Sequence, residues 1–303
     1  MSDNISITTQ QRANTIRIPD DVPGGPPYSL NQAGATYLIT EDITAQRTAF
    51  VINASGITLD LGGHTLTYNE EHLGLPTDSI NYQIQHSSFG VIAGGKVNLK
   101  ILNGIIRQGT GNDESSWATI GFNPIFLTGV ADSEIAGITV KYGGTQLTGI
   151  YCRYSGQNIT VHHNVVEDLG RFVANRHDLV SAIKLNTPSG GKLYNNLVKR
   201  ARHCALVDVG ENSEVYNNEL HIESYAINSF GIHLDTWNSV ENNTAVHDNK
   251  IFGCGDNVVG ISSLGVSNVE IYQNYIWLQA HDLTEIYPYL NPDPNESSDV
   301  EAS

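Results

Sequence analysis

Methionine occurs once in 303 residues, charged residues make up only 16%, and runs of Ala, Glu, Lys and Leu are missing. Helices draw their solvent faces from those residues, so a helical fold is disfavoured. Basic residues are few: 16 Lys and Arg stand against 32 Asp and Glu, for a net charge of −16. Non-specific nucleic-acid binding needs a basic footprint, and this chain does not supply one. The three cysteines, Cys152, Cys204 and Cys254, show no close-spaced framework, and their odd number excludes a complete set of internal disulfides. They read as small buried residues. No apolar run of about 18 residues is present, so no membrane-spanning helix is expected. The N-terminal MSDNISITTQQRANTIRIPD lacks the apolar stretch of a signal peptide.

What is abundant is glycine, at 29 residues, together with short β-branched segments. Those segments repeat. AIKLNTPSGGKLYNNLVKRAR (182–202) aligns with ALVDVGENSEVYNNELHIESY (205–225), each reading as strand, turn, strand ending YNN, then a third strand. GISSLGVSNVEIYQNYIWLQ (260–279) and GIYCRYSGQNITVHHNVVEDL (149–169) follow the same scheme. The period is about 22 residues, lengthened where loops are inserted, and such periods mark solenoids. Within each unit the apolar residues alternate with period two, which selects strands over helices. The expected fold is therefore all-β: a right-handed parallel β-helix with three short strands per coil. A single coil cannot bury its apolar side, but a stack can.

Residues 1–282 read as one β-helix domain, in which 1–50 supply an N-terminal cap and the first strands. The segment LTEIYPYLNPDPNESSDVEAS (283–303) loses the alternation and reads as an acidic tail or linker, as expected of one module of a longer chain. Asn164, Asn196, Asn218, Asn249 and Asn274 each end the second strand of a coil. Asparagine tolerates the left-handed conformation of a sharp turn, and stacked amides can hydrogen-bond from coil to coil.

GITLDLGGHTL (56–66), the YNN turns and the coil period resemble the pectate-lyase-like β-helix superfamily, over roughly residues 36–280. The resemblance implies the fold and a carbohydrate-linked role. It does not choose among the superfamily's polysaccharide lyases, epimerases, glycoside hydrolases and non-enzymatic solenoids. The NTD, DD, GHG and RIK motifs of polygalacturonase-type hydrolases are absent, as is the DPHD motif of secreted alginate epimerases. The fold favours a secreted or periplasmic location.

The first strand of each coil can be placed in register by burying Ile150, Cys152, Ile183, Leu185, Ala205, Val207, Ile232 and Leu234. Their neighbours form two outward columns. One contains Ile92, Phe126, Tyr151, Lys184, Leu206, His233 and Ser262. The other contains Gly94, Thr128, Arg153, Asn186, Asp208, Asp235 and Leu264. A phenol, a guanidinium, an ammonium, an imidazole and two carboxylates then share one patch, unlike an ordinary solvated strand face. Lys184, His233, Tyr151 and Arg153 are the expected catalytic set. Asn186, with Arg176 and His177 from RFVANRHDL (171–179) and Trp117 from GTGNDESSWATIGFN (109–123), are the expected substrate-binding residues. Asp208 and Asp235, adjacent in one column, are the expected ligands of a calcium ion.

This set fits a lyase or C5-epimerase acting on a uronic-acid polysaccharide, whose first step removes the proton beside the sugar carboxylate. Two alternatives stand beside it: a glycoside hydrolase using Asp208 and Asp235, and a non-catalytic glycan-binding or structural solenoid.

Overall fold

The computed structural model describes residues 14–70, 88–109, 123–141, 148–154, 156–167, 181–186, 189–201, 204–208, 210–224, 229–235, 243–255 and 258–279. Within these, every regular element is a strand, and every strand pairing is parallel, for example Ile183 with Leu206 and Leu206 with Ile232. The chain is a parallel β-helix. One sheet has nine strands, one per coil, running from Tyr28–Leu30 to Val258–Leu264. The other has 17 strands and takes the second and third strands of each coil. In two coils those strands merge into single nine-residue strands, Lys100–Gln108 and Ser133–Lys141. Pairing begins with Thr15–Ile18, which lies beside Thr36–Ile39.

Three aliphatic columns fill the interior, because inward positions of successive coils fall on one another. In the nine-stranded sheet Ile125, Ile150, Ile183, Leu206 and Ile232 stack, all fully buried. In the other sheet Ile135, Val161, Leu193, Val215 and Val246 form one column. Val140, Val166, Val198, Leu220 and Ile251 form the next. Each buried aliphatic side chain contributes roughly 1.5–3 kcal/mol relative to exposure. The coils approach closely enough that some positions accept no side chain. A Cβ on Gly231 would lie 2.5 Å from the Gly260 carbonyl oxygen and 2.7 Å from Ile251.

The asparagines form the continuous ladder that their repetition suggested. Both the backbone N–H and the side-chain amide of Asn164 donate to Oδ1 of Asn196. Asn196 does the same to Asn218, Asn218 to Asn249, and Asn249 to Asn274. Each Nδ2 also donates to a backbone carbonyl of the preceding coil, such as Asn218 to Leu193 at 2.9 Å. The left-handed residue of the turn is the one before the ladder: His163, Asn195, Asn217, Asp248 and Gln273 all have φ between 52° and 55°. The first residue of the pair makes the bend, and the second satisfies the buried backbone that the bend leaves open.

Outside the same bend runs a ring ladder. His162, Tyr194, Tyr216, His247 and Tyr272 stack in sequence with centroids 4.7, 4.8, 5.2 and 4.8 Å apart and planes within 7°. That spacing is the inter-strand distance itself. Beside it, Lys100 pairs with Glu134 and Lys192 with Glu214. His162 and His247 each reach one of those carboxylates. This side of the solenoid is committed to coil-to-coil contacts.

Candidate functional site

The outward column of the nine-stranded sheet carries the chemically varied residues. Its Cα partners run Val51, Ile92, Phe126, Tyr151, Lys184, Val207, His233 and Ser262. The flanking residues Ile150, Cys152, Ile183 and Leu185 are fully buried, so strand alternation turns Tyr151 and Lys184 outward. Both are half-buried.

Tyr151 and Lys184 come together, and the Arg153 charge acts on the Tyr151 phenol from two residues along the same strand. The Lys184 ammonium lies 5.8 Å from the centroid of the Tyr151 ring. Tyr151 meets Phe126 edge-on, with centroids 5.6 Å apart. The Arg153 guanidinium sits 4.6 Å over the ring of Tyr154 and donates to its hydroxyl at 3.2 Å. Tyr154 is 63% exposed and has φ of 46°. Burial pushes the Tyr151 phenol above its ordinary pKa, against the pull of the Arg153 charge. The phenol thus keeps its proton through neutral pH. Beneath this group, burial raises the Cys204 thiol to about 12, with the Lys184 charge acting the other way. That thiol is inert at neutral pH.

The remaining expected residues fall out differently. His233 shares the column but lies two coils beyond Lys184, about 10 Å along the stack. It stacks on Phe230 with centroids 4.8 Å apart. Asn186 is half-buried, and its backbone N–H donates to the Cys152 carbonyl at 2.9 Å. Trp117, Arg176 and His177 lie outside the described residues.

One coil departs from the expected register. Leu206, not Ala205, is the partner of Ile183 and Ile232, and Leu206 is fully buried. Val207 therefore takes the place in the Lys184–His233 column that was expected for Leu206. The shift carries Asp208 with it: its partners are Leu185 and Leu234, whereas Asp235 pairs with Leu264. The two aspartates are therefore not direct partners across the ladder, as the expected column had them. The physical cause is the run Cys204-Ala205-Leu206-Val207, four apolar residues without alternation. Packing the larger leucine into the aliphatic column settles what the pattern left open.

Two contributors escaped the sequence reading. Tyr154 follows Arg153 directly, and the run Tyr-Cys-Arg-Tyr was its only signal. Phe89, whose ring stacks on Phe126 of the column, precedes its strand, where the period-two pattern gives no information. Among the described residues no group of three or more His, Cys, Asp or Glu is placed to hold a metal ion, and no helix is long and apolar enough to cross a membrane.

No known protein family matches this chain, and no curated protein does. Among solved structures it is similar to a double mutant of the periplasmic alginate epimerase AlgG. The two are 11% identical over 87% of this chain and 84% of that one, with a TM-score of 0.23.

Proposed function

We propose that the chain is a carbohydrate-active enzyme that removes the proton beside the carboxylate of a uronic-acid polysaccharide, as a lyase or a C5-epimerase. The observation that carries this reading is the grouping of Lys184, Tyr151 and Arg153 on the outward face of the nine-stranded sheet. A cationic pair stands there beside a protonated phenol, on a chain whose net charge is −16. Local positive charge in an acidic protein selects an anionic substrate by position rather than by long-range attraction.

In this reading Arg153 holds the sugar carboxylate and stabilises the enolate that develops on it. Lys184, having passed its own proton to solvent as the substrate binds, takes the proton from C5. In elimination the electron pair of that C–H bond forms the C4–C5 double bond, and the C4–O bond breaks. The leaving oxygen takes its proton from Tyr151, and the phenolate is recharged from the lysine ammonium. In epimerisation Tyr151 instead returns a proton to C5. His233 contacts a neighbouring sugar.

The test is incubation with a panel of uronic-acid polysaccharides, following both the ultraviolet absorbance of the conjugated enoate and the appearance of reducing ends. Enoate formation that Lys184→Gln abolishes supports elimination. Reducing ends without enoate mark a hydrolase and overturn the proposal. Silence in both leaves epimerisation, which a change in uronate stereochemistry by NMR decides; an unchanged polymer assigns the chain to the non-catalytic class.

A further inference from the structure

The third strands of the coils carry an outward column of their own, on the 17-stranded sheet. Its Cα partners run Thr67, Arg107, Lys141, Glu167 and Lys199 through five successive coils. Ile106, Val140, Val166 and Val198 precede the last four and are fully buried, so strand alternation turns those four outward. Between Val198 and Ala201 the register shifts, and Lys199 and Arg200 stand together opposite the single residue His221. Arg200 has φ of 58°, a left-handed conformation uncommon for residues other than glycine and asparagine. The bulge leaves both cations exposed, and Arg107 and Lys141 are exposed as well. Four of the chain's 16 basic residues thus meet one carboxylate, Glu167, which accepts from the Lys199 ammonium at 2.8 Å. That bond holds the Glu167 carboxyl below its ordinary value against burial, and the charges of Lys199, Lys141 and Arg200 add to the effect. One carboxylate cannot neutralise four cations. Beyond the bulge the column turns to rings: His221, Phe252 and Trp277 are partners in the next three coils.

We infer that the stripe from Arg107 to Arg200 is a second, non-catalytic binding site for an acidic polysaccharide, separate from the Lys184 face. It takes its polymer class from the reading proposed above. Lys141, Glu167 and Lys199 belong to the coils that carry Phe126, Tyr151 and Lys184, but they lie on the other sheet. Arg107 to Lys199 covers three coil spacings, about 14 Å at about 4.8 Å each. That spacing is close to the rise per sugar of an extended glycan, so cations on successive coils meet carboxylates on successive sugars. Lys and Arg take those carboxylates through charged hydrogen bonds. Ile105, Thr139, Val165 and Leu197 form the neighbouring column, half-buried, and offer an apolar floor to the C–H faces of the sugars. In a chain of net charge −16 such a local surplus of positive charge selects by position, and salt weakens it. A site of this kind holds the enzyme on its polymer while the Lys184 face turns over.

The test is calorimetric titration of the whole Lys184→Gln protein with short oligogalacturonates and oligoguluronates, beside the same protein that also carries Lys141→Gln and Arg200→Asn. Asparagine suits the left-handed φ at position 200, and the Lys199–Glu167 pair is kept. The Lys184→Gln protein is expected to bind. The two added changes should weaken binding about tenfold or more and make the slope of log affinity against log salt shallower by about two. Lys141→Gln alone reads the stripe without touching the bulge and should show part of the same loss. Unchanged affinity and slope in these folded variants overturn the stripe, as does a Lys184→Gln protein that binds no acidic oligosaccharide. A single-stranded oligonucleotide or anionic lipid vesicles held more tightly through the same two residues overturn the choice of partner. The two proposals fail separately. Stripe binding without any chemical change in the polymer removes the enzyme and leaves a binding solenoid, whereas turnover by the parent with binding indifferent to Lys141 and Arg200 removes the stripe alone.

Discussion

Truncating Asn218 should cost more than its surroundings suggest, because five hydrogen bonds pass through one side chain that is 1% exposed. Its Oδ1 accepts from the backbone N–H and the amide of Asn196, both at 3.0 Å. Its Nδ2 donates to Leu193 O at 2.9 Å, Tyr216 O at 3.1 Å and Asn249 Oδ1 at 2.9 Å. A hydrogen bond contributes about 1 kcal/mol net, but a buried group left without its partner costs about 1–3 kcal/mol. Asn218→Ala strips partners from the Asn196 N–H and the Leu193 carbonyl together, so a loss of about 3–5 kcal/mol is expected. Asn218→Asp keeps the shape and the accepted bonds but turns oxygen toward Leu193 O and Asn249 Oδ1, and a charge there is worse still. Asn53, exposed and with a side-chain amide that donates to Asn31 Oδ1 at 2.9 Å, is the control, and Asn53→Ala should cost less than about 1 kcal/mol. Urea unfolding followed by circular dichroism reads all three. An Asn218→Ala protein within about 1 kcal/mol of the parent would show that the ladder is ornament, and would refute the reasoning.

Three further outcomes follow from the same contacts. Gly231→Ala drives a methyl into the Gly260 carbonyl at 2.5 Å, so the coils must part; a loss of about 2 kcal/mol or more in urea unfolding is expected, and a neutral effect contradicts the packing. Hydrogen bonds from Lys100 and Lys199 hold the carboxyls of Glu134 and Glu167 below the ordinary value of 4.5. Burial pushes Glu214 up, but its bonds from Lys192 and His247 outweigh that and leave it lowered too. Their stabilisation is complete above 4.5 and is lost as pH falls through the folded values. Thermal melting should therefore hold level down to that point and decline below it, and replacing all three by Gln should flatten the decline. Cys152 and Cys204 are buried with thiols raised to about 12, whereas Cys254 is half-buried; an alkylating reagent should label Cys254 first in the folded protein, and early labelling at Cys152 contradicts the inward placement.

Much of this architecture was legible because a solenoid repeats its instructions. Every coil restates the same alternation, so the inward identities of Ile150, Ile183 and Ile232 could be read by comparison of one coil with another. The Asn ladder was legible for the same reason, although the left-handed bend sits one residue earlier, where His, Asn, Asp and Gln all occur and no single residue type announces it. Alternation failed where it was missing, at Cys204–Val207, and a one-residue shift there moved Asp208 out of the expected column. The ring ladder from His162 to Tyr272 went unread because histidine and tyrosine look unrelated in a column until their planes are seen to stack. The grouping of Tyr151, Arg153 and Lys184 was visible in the sequence as an outward patch. The burial of Phe126 was not, since an outward phenylalanine reads as exposed.

The central claim is that the face bearing Lys184 abstracts a proton from C5 of a uronate. It is tested most directly by NMR of uronic-acid polysaccharides incubated with the protein in deuterated water. Elimination and epimerisation share that first step, so either consumes the C5 proton signal: by loss into the double bond in one case, by exchange with deuterium in the other. The account predicts that the signal decays with the parent protein and persists with a folded Lys184→Gln variant. A signal that persists with the parent across the panel, or decays equally with Lys184→Gln, contradicts it.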